Sequence, residues 1–397
     1  MWKVPEMRAA VTVLCGLMAA AQAVASDKPV PPPLPVEPIG IIETLPREYP
    51  ESWFFVHDVA FYHMSDGKVW VLDTAQDTVA RQVQGSFNVS MIGNIKQSAS
   101  RAEIYAVETF QTRGTRGERI DVLTIWDQEN LSPVAEVMLP QGKRFMGLPE
   151  RDAVMLLNED RWLVIANFSP AASVTLVDLD TRTVVGNIGT PGCALTYPAG
   201  KRGFSSLCAD GRFLSTELAE DGSVVAQVRT DSFFDSDDSP IFERPAYVGA
   251  MAYFPTFAGE VIPVDVSGKV AEVGAAWHLV PEAEREQGWA PGGIGISAED
   301  DLGRFYVLMH PQATDGSHNG GGAEVWVYDP AKQVRVARIA LREWGLSIAV
   351  SRGSEPKLLV TNPVDMSLEL YDAQSGEFLK TITDLGQNTP LMSFGAR

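Results

Sequence analysis

The chain has 397 residues, 45% of them hydrophobic, and its formal net charge is −19. An acidic surface repels phosphate backbones, which argues against nucleic acid as a partner. The chain contains only three cysteines and no CxxC, CxxCH or paired Cys/His spacing, which excludes zinc knuckles and covalently attached c-type haem.

Residues 1–25 have the pattern of a secretory signal peptide. Lys3 and Arg8 precede an apolar run from Ala9 to Ala21, and small residues ending at Ala25 form a cleavage site. The apolar run is too short to span a bilayer comfortably, so we expect export by a cleavable signal and no membrane insertion. The charge of the mature chain then becomes about −20.

Residues 26–50 are predicted to form a proline-rich arm. The stretch "PPPLPVEP" after Val30 favours an extended, polyproline-like chain. Composition alone leaves two interpretations open, a plain linker and an arm that lies along a partner subunit.

A hairpin pattern recurs along the rest of the chain. Each copy has an apolar alternating run, an acidic residue, a polar turn and a second alternating run, as in "VWVLDTAQDTVARQV" from Val69. Two weaker copies begin near Gly211 and Gly259. The acidic residues of the clearest copies are Asp73, Asp127, Asp178, Asp329 and Asp372. The five clear copies and the two weaker ones together give seven units with a mean period of roughly 50 residues, within the range of propeller blades.

The hairpins alternate with further strand-like runs, such as "WLVIANF" at Trp162, "RFYVLM" at Arg304 and "PKLLVTN" at Pro356. Helical patterns are nearly absent, since "PEAEREQGW" at Pro281 predicts one or two turns at most. Four-stranded blades must stack in a ring to bury both faces. The sequence therefore predicts an all-β fold, a single seven-bladed β-propeller over residues 51–397; a pair of β-sandwiches is the less regular alternative.

Export leaves Cys193 and Cys208 as the cysteines of the mature chain, and an even pair in an oxidising compartment predicts a disulfide. The search for other chemistry finds little: there is no G-x-S-x-G, HExxH, P-loop or G-x-G-x-x-G after a strand. His57 and His63 are expected to be loop histidines, and the acidic loop "DSFFDSDDSP" a solvated turn, so we expect no metal. These results favour a binding platform, a scaffold or one half of a heteromeric enzyme.

Several ordered stretches resemble one family: "FFVHDVAFYHMSDGKVWVLD", "TRGTRGERIDVLTIWD", "DDSPIFERPA", "WAPGG", "HPQATDGSHNGGGAEVWVYD" and "GCALTYPAGKRGFSSLCADG". From about Trp53 onward the chain is similar to the heavy, non-quinone subunit of the tryptophan tryptophylquinone amine dehydrogenases. It is more similar to the aromatic amine dehydrogenases than to methylamine dehydrogenase. The last stretch matches the segment that carries the family's disulfide.

The resemblance implies a periplasmic α2β2 heterotetramer that oxidatively deaminates primary amines and passes electrons to a blue-copper protein. It implies that the cofactor, tryptophan tryptophylquinone, and the catalytic base belong to the small subunit, so no catalytic residue or cofactor is expected on this chain. The tryptophans of this chain would then be packing residues. The runner-up is a self-contained periplasmic propeller, either a binding protein or a lactonase-type hydrolase.

The resemblance also points to a substrate channel. Phe61 and Tyr62 stand where relatives place a phenylalanine at the channel gate, and Tyr62 is the predicted gate residue, with Phe61 as the neighbour less favoured for that role. The aromatic stretch "FFVHDVAFYHM" and the loops at "WAPGG" and "GSHNGGG" are the predicted contacts with the small subunit.

Overall fold

The computed structural model describes residues 44–59, 66–144, 147–362, 364–385 and 389–396. Their strands form seven separate antiparallel sheets, and no sheet is shared between blades. The predicted all-β, seven-bladed β-propeller is therefore confirmed. In the described residues no helix is long and apolar enough to cross a membrane.

The strands follow one another around the ring, three or more to a blade. Blade 1 begins with β1 (Trp53–Val59), β2 (Gly67–Asp73) and β3 (Val83–Val89). Blade 2 has β4 (Asn94–Ser98), β5 (Glu103–Arg113), β6 (Arg116–Asp127) and β7 (Pro133–Met138). Blade 3 has β8 (Val154–Leu157), β9 (Trp162–Asn167), β10 (Ser173–Asp178) and β11 (Thr183–Gly189). Blade 4 has β12 (Cys193–Pro198), β13 (Gly203–Cys208), β14 (Phe213–Leu218) and β15 (Val224–Arg229).

The remaining blades have some split strands. Blade 5 has β16 (Ala246–Val248), β17 (Met251–Pro255), β18 (Glu260–Asp265), β19 (Glu272–Val273) and β20 (Trp277–His278). Blade 6 has β21 (Ala290–Pro291), β22 (Ser297–Glu299), β23 (Phe305–His310), β24 (Gly322–Asp329) and β25 (Val334–Gly345). Blade 7 has β26 (Ser347–Val350), β27 (Lys357–Asn362), β28 (Ser367–Asp372) and β29 (Phe378–Ile382), and β30 (Thr389–Gly395) returns to blade 1.

Short helices occupy only connections. An α-helical turn spans Val79–Gln82, and 3-10 helices span Arg151–Ala153, Glu282–Gln287 and Ser317–Asn319. The second 3-10 helix is the short helical segment that the sequence predicted at Pro281.

The last strand closes the ring. Blade 1 has the strand order β3-β2-β1-β30, so its inner strand comes from the C-terminal end of the chain and its other three from the N-terminal part. Phe55 of β1 lies opposite Phe394 of β30 in this pairing. The two ends of the propeller are thus joined by main-chain hydrogen bonds, and β30 gives blade 1 its fourth strand.

The seven predicted hairpins are the third and fourth strands of the seven blades. In the five clearest copies the aspartate ends the third strand, and its carboxylate accepts hydrogen bonds from backbone amides of the turn. Asp178, for example, accepts from the amides of Asp180 and Thr181, each at 3.0 Å. A bulge lies just before each of these aspartates, between the second and first residues that precede it. The repeated aspartate is therefore a turn cap.

The core lies between neighbouring blades. Successive residues of β1 face opposite ways: Phe54 packs with blade 7 and Phe55 with blade 2, and both are fully buried. Burial of a side chain of this size contributes on the order of 2 kcal/mol. This two-sided burial explains why "WFFVHDV" is buried throughout, including His57 and Asp58.

The two ends of the ring carry different connections. We call the end where the inner strands begin the upper face; it carries the loops between blades and those between second and third strands. The opposite end, the lower face, carries the loops between first and second and between third and fourth strands, including the aspartate-capped turns. The end of the predicted N-terminal arm lies beside one such turn, because the amide of Leu45 donates to the carbonyl of Glu129 at 2.8 Å.

Candidate functional site

The channel along the axis of the ring has an apolar upper end. Val59 at the end of β1 packs with Leu391 and Met392 of β30, and all three are buried. Partly buried Met91 and Leu346, from two connections between blades, and Ile294, between β21 and β22 of blade 6, pack against them. Water is poorly retained by such a lining, so this end of the channel favours apolar groups.

Below the apolar cluster, the inner strands enclose a cavity of about 640 Å³, which we call the axial cavity. It reaches the lower face, where Asp301 and Arg352 belong to its lining. Its volume is within the range of small-molecule sites, which is about 300–1,000 Å³. Its charged lining residues are Lys96, Glu150, Arg151, Asp152, Glu299, Asp300, Asp301 and Arg352.

A buried ionic cluster forms one wall of the axial cavity. Glu150 and Asp152 are buried at the start of blade 3, and Glu150 Oε2 lies 2.7 Å from Arg244 Nε in the connection to blade 5. The hydroxyl of Tyr247 donates to Asp152 Oδ1 at 2.9 Å, and the guanidinium of Arg151 donates to the carbonyl of Pro245. The cluster therefore ties blade 3 to blade 5 across the axis.

Burial dominates the protonation equilibria of this wall. It raises the pKa of Glu150 to about 7, although Arg244 acts in the opposite direction. It also raises the pKa of Asp152, against the effect of Arg151. The nearby cations thus do not fully compensate the loss of hydration of these carboxylates.

Sequence reasoning missed this cluster. Its residues come from "PERDAV" (Pro149 to Val154) and from "FERPAYV" (Phe242 to Val248), where charges stand directly beside apolar strand residues. The signal that could have revealed the cluster is adjacent charged residues at the start of a strand-like run. The first strand of each blade faces the axis, so charges there point to a site on the axis. The second stretch lies partly within "DDSPIFERPA", which carried the family resemblance.

The predicted gate residues Phe61 and Tyr62 lie outside the described residues, as does His63. Val59, the last described residue before them, belongs to the apolar cluster at the upper end of the channel. The expectation of a loop histidine at position 57 was wrong, because His57 lies within β1 and is buried. Burial lowers its pKa to about 4, and Arg144 acts in the same direction, so its ring is neutral at physiological pH.

The predicted contact stretch "FFVHDVAFYHM" is in large part core. Phe54, Phe55 and Val56 are fully buried, so they present no surface to a partner. The strand continues through Asp58 to Val59. The alternating burial between blades 7 and 2 is the physical reason for this correction.

The loops "WAPGG" and "GSHNGGG" meet at the upper face. The amide of Gly293 donates to the carbonyl of His318 at 2.8 Å, and a Cβ at Gly292 would lie 2.7 Å from the ring of His310. Glycine is thus required at position 292 by close approach. Ser317 donates its hydroxyl to the carbonyl of Thr314, so the ring of His310 donates from Nε2 to Ser317 Oγ at 2.8 Å.

Several tryptophans are packing residues, as expected. Trp53, Trp162, Trp277 and Trp326 are buried between blades. Trp344 differs, because its side chain is 45% exposed near the upper end of β25. A large exposed aromatic at this position is a candidate for contact with another molecule.

The predicted disulfide is confirmed. Cys193 at the start of β12 is bonded to Cys208 at the end of β13, and both are buried. Strand pairing places the two residues directly opposite each other. The bond therefore joins the first two strands of blade 4 at their upper ends.

The acidic loop forms a turn. The carboxylate of Asp235 accepts hydrogen bonds from the amides of Asp237 and Asp238 at 2.8 and 2.9 Å. Across the described ranges, no group of three or more His, Cys, Asp or Glu side chains is placed to hold a metal ion. Loop chemistry alone accounts for this cluster of aspartates.

Solved structures with similar folds define the class of protein. A dihydro-heme d1 dehydrogenase matches 88% of this chain and 67% of its own with a TM-score of 0.53 at 18% identity. A functionally unknown protein from Desulfotomaculum acetoxidans matches 87% of this chain and 100% of its own with a TM-score of 0.57 at 12% identity. At such identities the likeness shows the fold alone: this is a β-propeller.

Sequence comparison identifies the family of this chain. The family model of the methylamine dehydrogenase heavy chain matches residues 52–395. The methylamine dehydrogenase heavy chain of Methylorubrum extorquens is 25% identical over 343 residues, covering 84% of this chain and 80% of its own. That of Methylobacillus flagellatus is 24% identical over 375 residues, covering 94% and 93%. The chain belongs to the methylamine dehydrogenase heavy chain family.

Proposed function

We propose that this chain is the heavy subunit of a periplasmic quinoprotein amine dehydrogenase that oxidatively deaminates primary amines, with aromatic amines favoured. The family match over residues 52–395 is the observation that carries the proposal. The signal-like segment at residues 1–25 supports the periplasmic location.

The proposed partner is a small, light subunit that bears tryptophan tryptophylquinone, in an α2β2 heterotetramer. The quinone would supply the electron sink for amine oxidation. This chain would hold the light subunit and shape the route of the amine, while a blue-copper protein accepts the electrons. No catalytic residue is assigned to the heavy chain in this proposal.

The upper face supports this division of labour. The apolar cluster around Val59 lies where the chain continues toward Phe61 and Tyr62. Around it, Trp344 and Val364 expose apolar surface from the upper ends of blades 6 and 7. An apolar surface beside a channel mouth fits both a subunit contact and a lining for the amine's hydrocarbon part.

The proposal is tested by reconstitution. The chain is purified alone and after co-expression with a light subunit of the family that bears tryptophan tryptophylquinone, and each preparation is assayed with tyramine, phenylethylamine and methylamine and a dye acceptor. We expect activity only in the complex, with a higher kcat/KM for the aromatic amines. Turnover by the chain alone, or failure of the two chains to associate, would overturn the subunit assignment. A preference for methylamine would overturn only the aromatic preference.

Tyr62 is proposed to line the amine's route at the channel gate. Tyr62→Ala in the assembled enzyme should change the ratio of kcat/KM between phenylethylamine and methylamine, because a flat ring at a narrow opening selects by shape. Phe61→Ala is the matched comparison, with the smaller expected change. An unchanged ratio for Tyr62→Ala, with normal assembly and cofactor formation, would remove Tyr62 from the gate.

A further inference from the structure

The axial cavity carries an excess of acidic side chains. Its lining includes five carboxylates, those of Glu150, Asp152, Glu299, Asp300 and Asp301. Against these stand three cationic side chains, those of Lys96, Arg151 and Arg352. With Arg244, which lies behind the wall and pairs with Glu150, the five carboxylates stand against four cationic side chains, an excess of one. Burial raises the pKa of Glu150 to about 7, so this excess is present above that pH. A cation in the cavity would therefore be stabilised by the surrounding charges, and the acidic chain as a whole attracts cations toward it.

Buried polar atoms of the lining also lack hydrogen-bond partners within the described part of the chain. They are Asp152 Oδ2, Ser393 Oγ and His57 Nε2. Asp152 is 5% exposed and Ser393 8% exposed, so their environment supplies few alternatives. An unsatisfied buried polar group costs about 1–3 kcal/mol, and a polar ligand near these side chains would recover part of that cost. Arg151 Nε lies 4.0 Å from Asp152 Oδ2, and Lys96 and Arg244 also interact with this carboxylate electrostatically.

Part of the cavity lining, which we call the aliphatic wall, is apolar. Ile95, Met155, Leu156, Ile348 and Val350 contribute aliphatic surface from the inner strands of blades 2, 3 and 7. A cavity lined by both carboxylates and aliphatic side chains matches a molecule with a charged amino group and a hydrocarbon body. The described residues offer no three-ligand cluster for a metal ion, which favours an organic cation.

We propose that the axial cavity is a second binding site on this chain, specific for a small organic ammonium ion. The ammonium group binds near Asp152 and Glu299, and the hydrocarbon part lies against the aliphatic wall. Tyr247 positions the two carboxylates, because its hydroxyl donates to Asp152 and its amide donates to Glu299 Oε2 at 3.2 Å. The site lies on the heavy chain itself and does not depend on the proposed amine oxidation.

The test uses a charged probe and its neutral analogue. The full chain is titrated with 2-phenylethylammonium and with 2-phenylethanol by isothermal titration calorimetry at pH 8, at low ionic strength. We expect saturable binding of the ammonium probe and at least tenfold weaker binding of the alcohol. Equal affinities would overturn the proposal, and so would the absence of saturable ammonium binding, which would mean that the cavity holds only water.

Variants locate the site. Asp152→Asn keeps the shape of the side chain and should weaken ammonium binding at least tenfold while leaving the alcohol unaffected. Glu217→Gln, at a lower-face carboxylate outside the axial cavity, is the matched control and should bind as the unmodified chain does. If Asp152→Asn does not fold, Glu299→Gln replaces it with the same expectation. Unchanged binding by a folded variant overturns the site. The readout involves no amine oxidation, so failure of the proposed function would leave this result standing.

Discussion

The upper and lower faces of the propeller are built from the same strands but are held together differently. The lower face uses charges: Arg101 of blade 2 pairs with Asp180 of blade 3 at 2.7 Å, and Arg182 returns to Glu103 at 3.0 Å. The upper face combines an apolar cluster around Val59 with a disulfide in blade 4. One face of the ring is thus occupied by its own ion pairs, whereas the other exposes apolar side chains such as Trp344 and Val364.

Removing a buried ion pair should lower the free energy of unfolding far more than removing an exposed one. Arg244→Met leaves Glu150 buried without its nearest cation. Above pH 7, where this carboxyl is ionised in the unmodified chain, the loss should lower the free energy of unfolding by about 3–5 kcal/mol. The control is Lys201→Met, which removes an exposed lower-face pair with Glu159 and should cost less than about 1 kcal/mol. Guanidinium unfolding of both variants measures the contrast, and similar losses would show that the axial ion pair has no special role.

The disulfide gives the next largest effect. Replacing Cys193 and Cys208 together by alanine opens a loop with a sequence separation of 15 residues. The chain-entropy model gives a loss of about 3 kcal/mol for such a loop, seen as a lower melting temperature. Alkylation of the unmodified chain without reductant, followed by intact-mass measurement, should find no free thiol. Two labelled cysteines, or an unchanged melting temperature in the double variant, would contradict this account.

The fold was predictable to a greater extent than the site. Strand alternation and the aspartate-capped turn are local signals, so each hairpin could be recognised from the sequence around Asp73 or Asp329. The ionic wall was missed because Glu150 and Arg244 are distant in sequence and meet only when the ring closes. His57 was misplaced for a related reason: burial by two neighbouring blades allows a polar residue inside a continuous strand, and alternation alone does not reveal it.

Stability should depend on pH through the axial wall. Burial raises the pKa of Glu150 from its ordinary 4.5 to about 7, so the folded chain holds a proton that the unfolded chain releases. This contribution is fully present below pH 4.5 and is lost as the pH rises to about 7, by roughly 3 kcal/mol. Glu150→Gln should therefore flatten the decline of unfolding free energy over this window.

In the Glu150→Gln variant, two other buried carboxyl groups should still make the free energy of unfolding fall as the pH rises. Burial raises the pKa of Glu108 to about 7 and also raises that of Asp152. Asp221→Asn is the control, because hydrogen bonds from Ser223 lower the pKa of Asp221 and place its effect below the window. Denaturant titrations at several pH values measure the slopes, and a slope in Glu150→Gln equal to that of the unmodified chain would show that Glu150 is ionised in the folded state.

The smallest effect on stability should accompany a marked effect on assembly. Val364, between β27 and β28 on the upper face, is 91% exposed, whereas Leu302 on the lower face is 49% exposed. Substituting either by asparagine removes little buried surface, so each should change the free energy of unfolding by less than about 0.5 kcal/mol. If the small subunit docks on the upper face, however, Val364→Asn places a polar amide in an apolar contact and should weaken the complex about tenfold or more, while Leu302→Asn should not.

Dissociation constants measured by surface plasmon resonance, with melting temperatures as the folding control, test this prediction. Equal binding by both variants would remove Val364 from the interface, and selective weakening by Leu302→Asn would move the docking surface to the lower face, because only buried contacts contribute strongly to affinity.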